Sequence, residues 1–567
     1  MWKKRDELNT IEEIVMRNTG QSLGAVLNPK NDSRIVNMDM AVACIRTQIT
    51  NKYPITIIGD YDVDGITGSA ILYHTLKALG VTAEVRLPKR FSEGYGISKA
   101  MIDDIYSGLV IAVDNGITAV DEIALAKSKG LMVIILDHHI AREDGVLPPA
   151  DIIVNPHVYS SGDFGGFCGA GLAYKLAEIL LEDKTKLDSL CVMAALGTIA
   201  DVVPLLDDNR YIVINGLKAL NKGKAPQGLL TLIEQLNLFD VDESDVSFKI
   251  APILNASGRM HDEGAIRSFR LLIETQGLDT LANELVTINE ERKTAQNDGI
   301  TAVEEMMSAD GLYGDPVLLV YSDGITGSVI PEGIAGILAG RLSERYHVPA
   351  FVLTQSEKPG VLKGSGRSYG NIDIKLLLDQ AAHLLEGFGG HPKAAGLSVK
   401  TVKVEELRNF LIKQLEMNPC EEDDTLMFDL EVTADSLPEV ISEIQRYAPY
   451  GEGNIRPIIK VESQRLYPRQ RRFFTCMGSE GQHVKLFCGS KLVAVGFDLA
   501  TKYSEVGEPM NLDIVGSIFV NKYIDPMGRR LRETQLRIED LRKSNIVTFS
   551  SPLTTSVQQK LRALGGF

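Results

Sequence analysis

GDYDVDG, residues 59–65, sets Asp60, Asp62 and Asp64 within a few residues of one another. The run before it, PITII (54–58), reads as a buried strand, and TGSAILYHTLKALG (67–80) after it reads as a helix with an apolar stripe. The acids therefore stand on a strand-to-helix turn. If the chain stays extended there, side chains two residues apart point the same way and the three carboxylates converge. Left unpaired, they raise one another's pKa values, so a cation among them is the economical expectation.

Working outward, the same placement recurs. LVIAV (109–113) ends at Asp114, and LMVIIL (131–136) ends at Asp137, His138 and His139, with helical stretches between the strands. In an open parallel sheet the carboxyl ends of the strands border the ligand crevice, so residues distant in sequence meet there. Asp201 follows the apolar run LCVMAALGTIA (190–200), which reads as a buried helix that brings a further carboxylate to the crevice.

A single DxD in a turn is commonly an Asx-turn or a helix cap. Four clusters at equivalent topological positions point instead to a metal site. Carboxylates with imidazole and no nearby cysteine suit Mn²⁺ or Mg²⁺, with histidine favouring Mn²⁺. A pair of such ions, roughly 3.5–4 Å apart, stabilises the attacking and leaving oxygens of a phosphoryl displacement. The chemistry is phosphodiester or phosphoanhydride hydrolysis.

The order DxD, Asp, DHH, Asp resembles the DHH phosphoesterase superfamily and, within it, the RecJ family of single-stranded-DNA exonucleases. LPKRFSEGYGIS (87–98), CGAGLAYKL (168–176), APILNASGRM (251–260), GSGRS (364–368), GFGGHPKAAG (387–396) and YGEGN (450–454) carry the resemblance over roughly residues 35–545. It implies Asp62, Asp64, Asp114, His138 and Asp201 as the main metal ligands, with Asp114 bridging two ions. Asp60 and Asp137 are ligands or acids that orient ligands, and His139 contacts the scissile phosphate or orients the attacking water. Arg90, Arg259, Ser365 and Arg367 are candidates for a pocket that recognises a terminal phosphate or the backbone. Two departures stand out: Ile253 where an arginine is expected, which would weaken a phosphate contact, and Ile455 where proline is common.

The expected architecture is α/β: an N-terminal segment and parallel-sheet DHH domain (1–215), a helical region with a long connecting helix (216–310), a second α/β DHH-associated domain (311–420), a C-terminal β-barrel of OB type (425–545) and a tail (546–567). The stretch 268–307 reads as one long helix or as two broken near Gly277. In the second α/β domain, GSGRS and GFGGHPKAAG mark turns or give backbone N–H groups room to approach an anion. The resemblance favours the anion, with Gly389, Gly390 and His391 holding substrate beside the metals. In the last domain, RLYPRQRRFF (465–474) interleaves Arg469, Arg471 and Arg472 with Tyr467 and Phe473. It is either a nucleic-acid contact, by stacking and phosphate neutralisation, or a basic hairpin on a solvated face. MGRRLR (527–532) adds to the same groove.

Composition agrees with a soluble multidomain enzyme. The 567 residues hold no run of eighteen apolar residues, and MWKKRDELNT lacks the apolar stretch of a signal peptide. A cytoplasmic location is expected. Six scattered cysteines without CxxC spacing indicate reduced thiols, mostly buried, rather than zinc or a disulfide framework. The net charge of −16 is unusual for a DNA enzyme, but residues 455–545 carry 16 Lys or Arg against 10 Asp or Glu. The resemblance implies a monomer that removes nucleoside 5′-monophosphates from the 5′ end of single-stranded DNA in recombination and repair, with single-strand-binding protein and a helicase as partners. The alternatives are a phosphodiesterase for short oligoribonucleotides or cyclic dinucleotides, or a non-catalytic replication scaffold. The appended basic domain argues against the first, and the complete acid set against the second.

Overall fold

A computed structural model describes residues 1–544 except 95, 323–329, 357, 421–424, 479, 490 and 491. The chain divides into two units, residues 28–424 with 451–453, and a second formed by 1–27, 425–450 and the residues from 454 onward.

In the larger unit, five short strands build a parallel sheet: β1 (Ile55–Ile58), β2 (Glu84–Arg86), β3 (Leu109–Val113), β4 (Met132–Leu136) and β5 (Ile152–Val154), in the order β2-β1-β3-β4-β5. The central strands are buried along their length, as runs of Val, Ile and Leu in a sheet covered on both faces should be. The order reverses direction between β1 and β3, and the crevice at such a switch point is where this architecture places ligands. Helix α1 (Val63–Ala78) leaves β1, and α2 (Gly169–Leu180) and α3 (Leu187–Ala200) pack with it in one core that includes Ile66, Ala70, Val113, Ala170 and Leu196.

Several helices follow, among them α4 (Ala251–Met260) and α5 (Ala265–Ile273), before the 33-residue α6 (Leu278–Asp310). The helical stretch around 268–307 is therefore broken, and Gly277, in the left-handed region at φ 68°, starts the long helix. Beyond it lies a five-stranded sheet of β6 (Leu318–Ser322), β7 (Ala350–Gln355), β8 (Val361–Arg367), β9 (Leu385–His391) and β10 (Ala394–Lys400), ordered β9-β10-β8-β7-β6. Helix α7 (Glu332–Tyr346) packs on β7 and β8.

The smaller unit holds a seven-stranded sheet whose longest members, Asn511–Ile524 and Arg530–Lys543, pair antiparallel as a hairpin. The N-terminal segment, expected to accompany the DHH domain, folds here instead. Trp2–Lys4 pairs in parallel with Leu426–Phe428, and Ile11, Ile14 and Val15 are buried with Ile444, Tyr447 and Ile459. This apolar helix face finds its partners some 430 residues downstream in the chain, which local patterning does not reveal.

The six cysteines are free, and three of them, Cys168, Cys191 and Cys488, are buried. No helix among the described residues is long and apolar enough to cross a membrane.

Candidate metal and phosphate site

The strand ends bring the acids together, though not on a single extended turn. Helix α1 begins at Val63, so Asp62 is its cap, with Oδ1 accepting from the N–H groups of Asp64 (3.0 Å) and Gly65 (3.2 Å). Asp64 already belongs to the first turn and points elsewhere. Its Oδ2 accepts from Gly169 N–H at 2.6 Å and its Oδ1 from Ala170 N–H at 2.9 Å, at the N-terminus of α2. An anion gains there from the helix dipole and from donors with no partner inside the helix. This explains the CGAGLAYKL segment. A Cβ at Gly169 would stand 2.5 Å from Asp114 Cβ, so only glycine lets the helix end approach so closely. Sequence reading noted these residues for their resemblance alone and missed their support of Asp64.

His138 Nε2 lies 3.1 Å from Asp114 Oδ1, 3.5 Å from Asp201 Oδ2 and 3.8 Å from Asp64 Oδ2. Among the described residues, three sets of side chains offer ligand atoms within 4.8 Å of one another: Asp60, Asp62 and Asp114; Asp64, His138 and Asp201; and Asp114, His138 and His139. Asp114 belongs to two of them. It holds φ at 61°, and Val202, just after Asp201, holds φ at 60°. Such angles are costly away from glycine, above all for a β-branched residue, and strain of this kind gathers at functional sites.

Asp137 is committed differently. Its Oδ1 accepts from His138 N–H (2.8 Å), His139 N–H (3.1 Å) and His139 Nδ1 (2.7 Å), and its Oδ2 from Ile117 N–H (2.9 Å). Burial would raise its pKa, but these bonds hold the carboxyl below its usual range. Burial opposes protonation of His139, yet the bond to Asp137 carries its pKa up to about 9.

Elsewhere the electrostatics call for a cation. Burial first, then neighbouring carboxylates, pushes Asp60 and Asp114 well above the ordinary range, raises Asp62, and brings Asp201 to about 8. Asp60 Oδ1 is buried without a hydrogen-bond partner. A buried lone pair left bare is costly, and a metal ion resolves it. The donors are carboxylate and imidazole, while burial pushes the neighbouring Cys168 thiol up and keeps it protonated. The set fits hard divalent ions of the Mg²⁺ or Mn²⁺ kind.

Beside this cluster the Arg90 guanidinium stacks 4.7 Å from the Tyr61 ring. Arg259 ends α4, where burial and the charges of Arg90 and Arg292 lower its pKa to about 10. Gly333 of α7 packs directly on the Arg259 carbonyl, and Gly336, one turn on, faces Ser365 and Arg367. Arg367 Nη1 donates to Ser365 Oγ at 2.8 Å, and burial lowers its pKa. Four expected pocket residues thus flank α4 and α7. Asn255 of APILN accepts from Val63 N–H at 3.1 Å and so braces the start of α1, whereas Ile253 is a core residue at 3 % exposure. The departure at Ile253 therefore concerns packing, not a phosphate contact.

Gly389, Gly390 and His391 lie exposed on β9 at the sheet's edge. Lys375 sits between the Phe388 ring (5.3 Å) and Glu143 (3.9 Å), linking that edge to the loop after His139. In the smaller unit, Arg471 and Arg472 are exposed at a tight turn, with Gln470 and Arg471 both at positive φ. Arg469 and Phe473, expected to contact nucleic acid, are instead committed to the fold. Arg469 pairs with Glu533 at 2.9 Å and donates to Gly489 O, and Phe473 packs on the core.

Three family models match in order: the DHH family N-terminal domain over 54–198, the DHHA1 domain over 315–417 and the RecJ OB domain over 428–540. The single-stranded-DNA-specific exonuclease RecJ of Salmonella typhimurium is 33% identical over 407 residues, 66% of this chain and 68% of that protein. The chain belongs to the RecJ family. The RecJ of Bacillus subtilis is 33% identical over 517 residues, 89% of this chain, and the match spans 63% of that relative's length. The crystal structure of RecJ in complex with Mn²⁺ from Thermus thermophilus superposes with a TM-score of 0.76 at 25% identity, covering 94% of this chain and 76% of that one. The architecture expected of a RecJ protein, a parallel-sheet DHH domain and a C-terminal OB domain, is the one observed.

Proposed function

We propose that the chain hydrolyses single-stranded DNA from its 5′ end, releasing nucleoside 5′-monophosphates. The observation that carries the reading is the pair of ligand sets Asp60, Asp62, Asp114 and Asp64, His138, Asp201, joined where His138 Nε2 lies 3.1 Å from Asp114 Oδ1, at the sheet's switch point beside the arginines of α4 and β8.

Asp60, Asp62 and Asp114 would hold one divalent ion, and Asp64, His138 and Asp201, with Asp114 shared, a second. When bound, the two ions supply Lewis acidity for a phosphoryl displacement. His139, kept protonated by Asp137, donates a hydrogen bond to the scissile phosphate. Arg90, Arg259, Ser365 and Arg367 receive the terminal phosphate and fix the register of cleavage. Gly389, Gly390 and His391 present backbone and imidazole to the next stretch of backbone, and Arg471 and Arg472, in the smaller unit, bind single-stranded DNA by their charge. The chain acts as a cytoplasmic monomer in recombination and repair, beside single-strand-binding protein and a helicase, a setting supported by family membership. The single-stranded-DNA-specific exonuclease activity of its relatives favours this over oligoribonucleotide or cyclic-dinucleotide cleavage.

The test is a parallel digestion, with Mn²⁺ or Mg²⁺, of 5′- and 3′-labelled single strands, blunt duplex, a short oligoribonucleotide and a cyclic dinucleotide. Mononucleotides released from the free 5′ end, with duplex spared, support the proposal. Cleavage confined to the small substrates overturns it.

A further inference from the structure

Arg90 and Arg259 carry like charges, are separated by 169 positions in sequence, and must be held together for one phosphate to meet both. Arg90 stands in a loop without helix or strand, residues 87–94, closed by Glu93 N–H and Gly94 N–H donating to Lys89 O at 2.9 and 3.2 Å. Such a loop does not fix a long side chain by itself.

A single carboxylate ties it down. Asp262 Oδ1 accepts from Phe91 N–H at 2.8 Å and Ser92 N–H at 3.1 Å, and its Oδ2 accepts from Ser92 Oγ at 2.6 Å. These residues directly follow Arg90, and Asp262 stands three residues after Arg259. Next to it, Lys89 Nζ meets Glu263 at 2.6 Å. The turn bearing Asp262 is itself firm. His261 N–H donates to Ser257 O and Gly264 N–H to His261 O, both at 3.0 Å, and Ser257 Oγ donates to Gly264 O at 2.8 Å. A Cβ at Gly264 would lie 1.7 Å from Ser257 O, so the turn is packed against the helix end.

We propose that Asp262 is a positioning residue that clamps the Arg90 loop to the end of α4, setting the two arginines at the spacing that reads a 5′-terminal phosphate. The inference rests on the proposed reading of Arg90 and Arg259 as the terminal-phosphate pocket.

The experiment compares full-length Arg90→Ala, Asp262→Ala, Asp262→Asn and Ser92→Ala on the same single strand bearing a 5′-phosphate or a 5′-hydroxyl, with Mn²⁺ affinity and thermal melting measured in parallel. Asp262→Ala should raise KM for the phosphorylated strand about tenfold and erase most of the preference for a 5′-phosphate, with kcat and Mn²⁺ affinity within about threefold of the parent. Asp262→Asn, which keeps an acceptor for both N–H groups, should restore the preference. Ser92→Ala should lose part of it, and it decides the matter if Asp262→Ala does not fold. If Arg90→Ala leaves the preference intact, the pocket reading fails and the inference with it. If Arg90→Ala abolishes it while Asp262→Ala and Ser92→Ala do not, the inference alone is overturned. A parallel fall in kcat and Mn²⁺ affinity on both strands would mark ordinary damage to the fold and overturn it as well.

Discussion

Asp114 Oδ1 lies 3.1 Å from His138 Nε2, and the same Asp114 carboxylate falls within ligand reach of Asp60 and Asp62. One side chain, set at the end of β3 in a left-handed backbone conformation, thus joins the two halves of the candidate metal centre.

Asp114→Ala should therefore be the most damaging single change at the cluster. Losing an ion's Lewis acidity removes several kcal/mol from the transition state, so turnover should fall by about three orders of magnitude or more, against a smaller loss for Asp60→Ala. Steady-state kinetics and Mn²⁺ titration check this. Activity within about tenfold of the parent would remove Asp114 from its assigned place.

The metal-free protein should lose stability as pH rises. Asp60, Asp114 and Asp201 hold protons in the fold to higher pH than in the unfolded chain, up to about 8 for Asp201, so their contribution weakens between about pH 4 and about pH 8. His139, raised to about 9, adds stability that is complete below about pH 6.5 and fades through pH 9, with the same sign. Melting of chelator-treated protein should drop from about pH 5.5 to about pH 8.5, and Mn²⁺ should stabilise more at the upper end, where its ligands are ionised. A flat or rising profile contradicts the assignment.

Gly169→Ala tests the approach of α2. Its new methyl group would meet Asp114 Cβ at 2.5 Å and Asp114 N at 3.0 Å, neither of which is the free end of a side chain. A loss of about 1–3 kcal/mol in unfolding free energy is expected, with activity reduced about a hundredfold as Asp114 shifts. Denaturant melts and kinetics on one preparation measure both.

Asp137→Asn should lower kcat about 10- to 100-fold and cost about 1–3 kcal/mol of stability, because it leaves one acceptor oxygen where four donors now converge. Unchanged kcat would make the Asp137–His139 contact merely structural.

In the C-terminal domain, Arg471→Ala and Arg472→Ala should each weaken binding of long single strands and reduce the salt dependence of affinity by about 0.7 in log–log slope. Arg469→Ala should act on the fold instead, costing about 2 kcal/mol as Glu533 loses a charged partner. Fluorescence binding across salt concentrations, with melts, separates the two behaviours.

What the sequence made legible was whatever depends on local pattern. Apolar runs ending in acids placed β1, β3 and β4, and the buried run before Asp201 gave α3. The division of labour among the acids was hidden, because it turns on where α1 starts. Starting at Val63 rather than a few residues later sends Asp62 and Asp64 to different ligand sets. Pairings distant in sequence were hidden too. Arg469 looks like a free cation until Glu533 arrives from 64 positions away, and Ile11 looks like part of the first domain until it packs with Ile444 and Tyr447.

The most direct test of the two-ion account is a titration of chelator-treated protein with Mn²⁺ that follows bound ion and mononucleotide release from a 5′-phosphorylated single strand in the same samples. The account predicts two ions per chain and a release rate that rises only as the second site fills. Saturation at one ion with full activity, or mononucleotide release without any divalent ion, would contradict it.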